Sequence, residues 1–315
     1  MIILGINAYH ADSSAAIFVD GKLVAAIEEE RFRRVKHWAG FPQLAIEFCL
    51  QQAGIRYEQV DHYAIGRDPG AKFFKKLIYL ASHPFGSIAA VKDRMNNSRK
   101  IASIENELSR ISGLAANTFT NKINHIEHHR SHLASAFFAS PFDEAACLSI
   151  DGSGDFTTTM IGTGKGNTID ILDSIDFPHS LGIFYTAFTQ LLGFPHYGDE
   201  YKVMGMAPYG KLGNGKGAIG QLGSESGVNN PAEGVAGLDL GARVSDSLVA
   251  KVSKVVRLRD DGLFKLDLSY FRTGTQGIIS YDTNNTPLVA TLYSEKMIRE
   301  FGEPRKKRGA PNTIP

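Results

Sequence analysis

One order of secondary-structure elements is predicted twice along the 315 residues: three strands joined by turns, followed by an amphipathic helix. Apolar residues alternate in the strands and recur at helical spacing in the helices. The elements of the first copy fall at residues 2–8, 14–19, 23–28 and 41–53. Those of the second copy fall at residues 145–151, 157–162, 168–177 and 181–192. A repeated β-β-β-α unit predicts an α/β protein that arose by internal duplication.

Turn and stop signals bound these elements. Asp20-Gly21 separates the second and third strands, and this dipeptide is typical of a short hairpin. Gly54 and Gly193 follow the two helices, at the position where a left-handed glycine ends a helix. Further elements are predicted between and after the two copies, with strands at 60–66, 124–127 and 264–271 and helices at 72–110, 129–138 and 288–301.

The predicted organisation is two lobes and a tail. Residues 1–142 form the first lobe, which carries a helical insertion, and residues 143–302 form the second. Residues 211–245 are rich in glycine and polar residues, which predicts a surface insertion rather than core. Residues 303–315 are basic and contain prolines, which predicts a tail outside the folded lobes.

Composition excludes several classes of protein. Lys and Arg number 34 and Asp and Glu number 33, so the net charge of +1 gives no field suited to nucleic acid. No apolar run reaches the ~18–20 residues that cross a bilayer, so no membrane span is expected. The two cysteines, Cys49 and Cys147, are far apart and lack CxxC spacing. This usage predicts no disulfide framework and a reducing, cytoplasmic location.

Four histidines lie within residues 125–132. Two of them, His128 and His132, are four residues apart, which places both imidazoles on one face of a helix. Such a pair can chelate one Fe²⁺, Zn²⁺ or Mn²⁺ ion, with carboxylates completing the ligand set. Histidines in a protein core usually occur singly, so the cluster favours a metal site over the alternative of a solvated polar turn.

Two polar turns occupy matching places in the two copies, at residues 10–14 (HADSS) and 151–155 (DGSGD). Backbone N–H groups, glycines and hydroxyls in such turns suit contact with a phosphate or acyl oxygen. Asp, Ser and Gly are also ordinary turn residues, and the first turn taken alone favours that interpretation. The pair favours a two-lobed nucleotide site that has one phosphate clamp from each lobe.

Two further segments place charges beside aromatic residues. Residues 196–202 (HYGDEYK) put two acidic residues and Lys202 among aromatic neighbours. This segment is either a cleft wall that contacts a ligand or a salt-bridged loop. Lys36 precedes a histidine and the only tryptophan, and it is a candidate contact for a phosphate or carboxylate.

Three long segments resemble the carbamoyltransferases of nodulation-factor and antibiotic biosynthesis. They are GINAYHADSSAAIFVDGKLVAAIEEERFRRVKHWAGFP, EHHRSHLASAFFASPFDEAACLSIDGSGDFTTT and SLGIFYTAFTQLLGFPHYGDEYKVMGMAPYG. The resemblance implies an actin-like fold of the ASKHA class, with two lobes built on duplicated ribonuclease-H-type units. It also implies O-carbamoyl transfer, in which carbamoyl phosphate and ATP give a carbamoyl-adenylate that is attacked by a hydroxyl of a sugar or natural product.

The resemblance implies roles for individual residues. His128 and His132 would be ligands of Fe²⁺ or another divalent transition metal. His10, Asp12 and Lys36 would line the carbamoyl and acceptor site, where a histidine or aspartate takes the proton of the attacking hydroxyl. The nucleotide phosphates, with ATP as co-substrate, are assigned to Asp151, Gly152, Ser153, Gly154, Asp155 and Lys202. Residues 151–155 would also be a source of a further metal ligand.

Members of this family continue beyond this length, with a further metal-binding aspartate, a glycine-rich adenosine loop and an activation domain. We therefore expect an incomplete second lobe, and a chain that by itself binds metal but turns over poorly. Two alternatives stay open. One is a sugar-type kinase of the same fold, against which the histidine cluster argues because such kinases hold Mg²⁺ through phosphates and carboxylates. The other is a non-catalytic protein that forms homo-oligomers through an exposed apolar face.

Overall fold

The computed structural model describes residues 1–82, 104–209, 246–272 and 279–305. The chain forms two compact units, each of mixed helix and strand. The first unit contains Met1–Ile183 and Thr273–Ala290, and the second contains Phe184–Arg272 and Thr291–Pro315. These units are defined by close contacts, whereas the predicted lobes are defined by sequence repetition. The two divisions describe different things, so the predicted lobe boundary at residue 142 stays a prediction.

A five-stranded sheet forms the core of the first unit, in the order β3-β2-β1-β4-β5. Its strands are β1 (Ile2–Asn7), β2 (Ser14–Val19), β3 (Lys22–Glu28), β4 (His62–Ile65) and β5 (Ile123–His125). Strand β1 is antiparallel to β2 and parallel to β4. The hairpin predicted at Asp20-Gly21 is confirmed, because both residues have positive φ angles, 49° and 77°, as a tight two-residue turn requires.

Six helices are described between residues 30 and 137, and three of them contribute buried residues to the core of this sheet, among them Ile46, Leu108 and Phe119. The six are α1 (Glu30–Arg33), α2 (Gln43–Ala53), α3 (Phe73–Ser82), α4 (Ile104–Ser112), α5 (Asn117–Thr120) and α6 (His128–Phe137), with a 3₁₀ turn at Tyr57–Gln59. Helix α2 buries the apolar face that its spacing predicts and ends at Gly54, where φ is +66°. The structure begins α6 at His128 and α2 at Gln43, each within two residues of the predicted start.

A buried carboxylate fixes the start of α2. Glu29 is fully buried between β3 and α1. It accepts a hydrogen bond from the Ala45 backbone N–H at 2.8 Å and one from Arg33 Nε at 2.8 Å. The first N–H groups of a helix have no acceptor within the helix. Glu29 supplies such an acceptor for the Ala45 N–H of α2, which the residues next to the helix do not.

A second sheet, of the strands β6 (Glu144–Gly154), β7 (Thr157–Lys165) and β8 (Thr168–Asp176), is antiparallel throughout. Leu133 and Phe137 of α6 pack on Cys147 and Met160 of this sheet. The strand predicted to end at Asp151 is longer than expected, since β6 continues to Gly154 and pairs there with Thr157. The strand pairing is irregular between Ile150 and Gly154, and both glycines of the DGSGD segment lie within β6. The chain therefore reverses its direction at residues 155–156.

The two sheets repeat one order of elements, which confirms the sequence prediction of two β-β-β-α units. Strands β1–β3 form an antiparallel meander followed by α2, and strands β6–β8 form another followed by α7 (Leu181–Leu191). The outer edges differ. Strand β1 has β4 as a second neighbour, whereas β6 has no second neighbour among the described strands.

The remaining described elements are shorter. They are α8 (Glu200–Met206), α9 (Asp246–Val255), β9 (Val256–Leu258), β10 (Phe264–Leu266), β11 (Ile279–Tyr281), β12 (Pro287–Val289) and α10 (Glu295–Phe301), with 3₁₀ turns at Ala207–Tyr209 and Leu268–Tyr270. Two predictions are wrong here. The strand expected at 264–271 stops early because the Asp267 carboxylate accepts the Ser269 N–H and starts a 3₁₀ turn. The helix expected at 288–301 begins only where Ser294 caps it, after strand β12.

Three predicted segments fall wholly or partly outside the described residues. They are residues 83–103 of the helix predicted at 72–110, the glycine-rich segment at 211–245, and the basic tail from residue 306 onward. Among the residues that are described, no helix is long and apolar enough to cross a bilayer. Both cysteines, Cys49 and Cys147, are buried free thiols.

Candidate functional site

The first turn of α6 carries the two histidines predicted to bind metal. Glu127 caps this helix by accepting the Arg130 N–H, which fixes where the helix begins. His128 and His132 then lie one turn apart, with their Nε2 atoms 3.0 Å from each other. Nδ1 of His128 lies 3.4 Å from the Gly66 carbonyl oxygen, so a hydrogen on Nδ1 leaves the Nε2 lone pair facing His132.

A carboxylate from β6 meets these imidazoles. Asp151 Oδ2 lies 3.0 Å from His128 Nε2 and 3.7 Å from His132 Nε2. Burial opposes the charge on Asp151, but the neighbouring His128 and His132 imidazoles and the hydrogen bond from the Gly152 N–H outweigh it. They hold the pKa of this carboxyl well below its usual range. From the sequence, Asp151 is assigned to the nucleotide phosphates, and the 151–155 segment is also expected to supply a further metal ligand, with no single residue named for it.

The three side chains fit a divalent transition metal. Two imidazole nitrogens and one carboxylate oxygen, all within 4.8 Å of one another, form the donor set. Two histidines and a carboxylate are a common ligand set for Fe²⁺ in proteins. Neighbouring ligands at ~2.1 Å from an octahedral ion lie about 3.0 Å apart, which agrees with the two shorter separations.

The other two histidines of the cluster have different surroundings. His129 is fully buried, and its ring nitrogens lie 2.8 Å from Ser149 Oγ and 3.0 Å from the Thr157 carbonyl oxygen. Burial lowers the pKa of His129 to about 4, so it is a neutral core residue. His125 is exposed, with Nδ1 3.0 Å from the Arg67 carbonyl oxygen. The cluster therefore divides into the His128–His132 pair, which fits a metal ion, and His129, which packs in the core.

The β6–β7 turn contacts the first histidine closely. A Cβ atom on Gly154 would lie 1.9 Å from His128 Cδ2, so the imidazole occupies space that only glycine leaves open. Asp155 Oδ2 accepts the His128 N–H at 3.0 Å and the Asp68 N–H at 2.8 Å. Residues assigned to nucleotide from the sequence thus lie against a histidine predicted to bind metal.

The middle of the 151–155 segment lies beside the start of α7. Ser180 Oγ donates to the Asp151 carbonyl oxygen at 3.0 Å and accepts the Ile183 N–H at 3.0 Å. A Cβ on Gly182 would lie 2.5 Å from the Gly152 nitrogen, so helix and strand backbones approach closely here. Gly152 and Ser153 are partly exposed at this end of β6.

The 10–14 turn lies close to the same histidine. The ring centroids of His10 and His128 are 6.0 Å apart. Burial, with a smaller effect of the Arg67 charge, lowers the pKa of His10 to about 4. Ser13 is buried and its hydroxyl contacts the carbonyl oxygens of His10 and Gly40, at 2.9 and 2.8 Å. The structure thus places His10 beside His128, which is predicted to bind metal.

Asp12 faces another histidine. Its Oδ1 lies 2.7 Å from His37 Nδ1, and the His37 backbone N–H donates to Glu30 Oε2 at 2.9 Å. Ligand atoms of these three residues lie within 4.8 Å of one another. Lys36, predicted to line the acceptor site, is exposed and directly precedes His37. Neither Glu30 nor His37 was predicted from the sequence as a site residue. The run of charged residues before Lys36 was the sequence signal that could have indicated them.

Lys202 lies on α8, in the second unit. It forms an ion pair with Asp199, whose side chain is buried. Glu200 accepts a hydrogen bond from Thr186 Oγ1 at 2.6 Å. The salt-bridged arrangement that the sequence left open is therefore present here, while a ligand contact at Lys202 stays a prediction.

Comparison with known proteins gives the family. Residues 2–222 match the family model described as the carbamoyltransferase N-terminus. The chain therefore belongs to the carbamoyltransferase family, as the sequence motifs predicted, and it carries the family's amino-terminal domain.

Curated relatives agree with this assignment. The chain is 36% identical to the uncharacterised protein sll1178 of Synechocystis, over 99% of this chain and 44% of that protein. It is 34% identical to the nodulation protein NolNO of Sinorhizobium fredii, over 65% of this chain and 28% of that protein. The chain thus spans less than half the length of either relative.

Solved structures show weaker likenesses. YeaZ from Pseudomonas aeruginosa is 16% identical, with a TM-score of 0.29 over 55% of this chain and 64% of that one. A Ppx/GppA phosphatase of Aquifex aeolicus is 15% identical, with a TM-score of 0.30 over 67% of this chain and 65% of that one. At these scores neither likeness carries an argument about the fold.

Proposed function

We propose that this chain supplies the metal-binding domain of an O-carbamoyltransferase. The reaction moves a carbamoyl group from carbamoyl phosphate, through carbamoyl-adenylate, to a hydroxyl of a sugar or natural product. The observation that carries the proposal is the convergence of His128, His132 and Asp151 in a chain of the carbamoyltransferase family. The name of the nodulation relative NolNO supports a small-molecule acceptor.

In this proposal His128, His132 and Asp151 hold Fe²⁺ or another divalent transition metal. When bound, such an ion supplies a Lewis acid for the phosphate or carbamoyl oxygens. The ionised Asp151 carboxylate provides the negative charge of the ligand set, and its partner histidines are held on a capped helix. The protein therefore orders these ligands through its fold.

The acceptor is assigned to the side of the site that the 10–14 turn lines. Asp12, held against His37 Nδ1, is placed to accept the proton of an attacking hydroxyl. His10 packs near His128 and orients the carbamoyl group through its ring. Lys36, exposed beside His37, offers a positive charge to the donor's phosphate.

The nucleotide is assigned to the 151–155 segment, with ATP as the co-substrate. The 151–155 segment adjoins the start of α7, where the helix dipole favours a negatively charged phosphate. The repeated β-β-β-α units support an actin-like, duplicated fold, in which each repeat offers one polar turn to the ligand.

Metal analysis tests this proposal against the sugar-kinase alternative. The purified chain is loaded anaerobically with Fe²⁺, and bound iron and ATP are measured by elemental analysis and calorimetry. We expect one iron per chain, with ATP binding strengthened by it. ATP binding that depends on Mg²⁺ alone, with no retained iron, would support a kinase and reject the carbamoyltransferase site.

A further inference from the structure

The Asp155 side chain joins three segments of the first unit that are distant in sequence. One oxygen, Oδ2, accepts the N–H of Asp68, which follows β4, and the N–H of His128, which begins α6. The carboxylate itself stands in the β6–β7 turn. These hydrogen bonds are 2.8 and 3.0 Å long, in the range of well-formed bonds to a charged acceptor.

A carboxylate suits this place because α6 begins there. The first four N–H groups of a helix have no partner within it, and the helix dipole favours a negative charge at this end. Glu127 accepts the Arg130 N–H, and Asp155 accepts the N–H of His128 itself. The backbone N–H that Asp155 accepts therefore belongs to His128, the residue whose side chain is a proposed metal ligand.

The preceding residue limits the imidazole from the other side. Gly154 is buried, and a Cβ on it would overlap the His128 ring at 1.9 and 2.2 Å from two ring carbons. The ring thus lies against the Gly154 backbone while its Nε2 atom faces Asp151. Two consecutive residues therefore fix His128: Asp155 holds its main chain, and Gly154 limits its ring.

We propose that Gly154 and the Asp155 carboxylate position His128 for the metal, a role separate from any contact of their backbone N–H groups with nucleotide. This inference rests on the proposed metal site at His128, His132 and Asp151. Asp155 does not join the ligand set; it fixes the helix whose first residue does. A carboxylate with an oxygen already shared by two N–H donors, and of the same charge sign as phosphate, is better suited to this role than to binding phosphate.

The test uses Co²⁺ as the probe, because its visible absorption reports ligand number and geometry. Affinity is measured by titration of the full chain, and folding by thermal unfolding in chelator. Residues that orient metal ligands typically change affinity 10–100-fold. We expect Asp155→Ala to weaken Co²⁺ binding by about that factor and to alter its spectrum. Asp155→Asn, which keeps an acceptor oxygen, should restore most of the affinity.

Matched variants separate this inference from the site on which it rests. Asp170→Ala removes an exposed carboxylate from the same sheet and should bind Co²⁺ as the unmodified chain does. Gly154→Ala should weaken binding because its Cβ displaces the His128 ring. If Asp155→Ala does not unfold cooperatively, Asp155→Glu replaces it, since this longer side chain keeps the charge but misplaces the acceptor.

The outcomes are distinct. Normal Co²⁺ affinity and spectrum in Asp155→Ala, together with loss of binding in His132→Ala, would overturn the positioning role and leave the metal site intact. Equal weakening in the Asn and Ala variants of Asp155 would also overturn it, because a retained acceptor would then not matter. Normal binding in His132→Ala would instead reject the metal site itself.

Discussion

The imidazoles of His128 and His132 meet edge to face, with ring centroids 4.6 Å apart, an interplanar angle of 85° and their Nε2 atoms 3.0 Å apart. Two neutral imidazoles in this arrangement direct lone pairs at each other unless a proton or a cation lies between them. The Asp151 carboxylate on the same side adds negative charge. The three groups together favour a bound cation.

Removal of either imidazole should abolish metal binding. We expect His128→Ala and His132→Ala each to lose stoichiometric Fe²⁺ or Co²⁺, measured by elemental analysis after desalting. His125→Ala is the matched control, because this histidine belongs to the same sequence cluster but contacts only the Arg67 carbonyl oxygen among the bonds described. Equal metal content in all three variants would contradict the site.

His129 should affect stability rather than metal binding. His129→Ala leaves Ser149 Oγ and the Thr157 carbonyl oxygen without their buried partner. The expected loss of unfolding free energy is about 2–4 kcal/mol, from the cavity and the unpaired polar groups together. Urea unfolding in the presence of chelator measures this loss. A variant as stable as the unmodified chain would show that His129 is not the core residue described.

The buried Glu29 should be a strong anchor for α2. Glu29→Ala leaves the Ala45 N–H unsatisfied and Arg33 without its carboxylate, for an expected loss of about 2–3 kcal/mol. Glu28→Ala is the control, since Glu28 pairs with Arg31 at the surface and should contribute under about 1 kcal/mol. Both are measured by chemical unfolding, and similar losses in the two variants would count against the anchor.

Asp267 should make stability depend on pH at the acidic end. Hydrogen bonds from Ser269 and then from Lys296 lower the pKa of Asp267 to about 2. Its folded pKa is below the unfolded value of about 4, so its contribution is present above that value and is lost as the pH falls towards 2. We expect Asp267→Asn to be less stable by about 1 kcal/mol at pH 7, because the carboxylate is partly exposed. The difference should vanish near pH 2, and a difference that is constant from pH 7 to pH 2 would argue against this ion pair.

The open face of the second sheet should promote self-association. Leu148 and Ile150 of β6 are 61% and 49% exposed, on the face opposite the one that packs against α6. The outer edge of β6 has no partner among the described strands. Exposed apolar strands of this kind tend to pair with other chains. We expect dimers or larger species in analytical ultracentrifugation, reduced by the Leu148→Lys/Ile150→Lys double variant.

Leu258→Lys provides the comparison for that experiment. Leu258 is 84% exposed on a different, two-stranded sheet, so its replacement changes charge and apolar surface without touching β6. A monodisperse monomer for the unmodified chain would exclude the homo-oligomer hypothesis.

Elements set by local patterns were predictable from the sequence. The Asp20-Gly21 hairpin and the end of α2 at Gly54 depend on neighbours within a few residues, and both were found where expected. The i,i+4 spacing of His128 and His132 likewise predicted two imidazoles on one helix face. Such features need only the geometry of one strand pair or one helix.

Individual pairings between distant segments could not be predicted from local patterns. The Asp151 carboxylate faces the histidines only because β6 continues past it and lies along α6. The partners of Asp12 and Glu29 come from segments 25 and 16 residues further along, at His37 and Ala45. No local spacing encodes such pairings, because they follow from how strands and helices pack.

Alternate residues of β6 serve one helix in succession. Cys147 packs with the apolar residues of α6, Ser149 bonds His129, and Asp151 bonds His128. Successive residues of a strand point to opposite faces. One inserted or deleted residue would therefore turn Cys147, Ser149 and Asp151 away from α6 at the same time. Homologous chains should therefore vary freely in which residues point outward from this strand and hardly at all in its length.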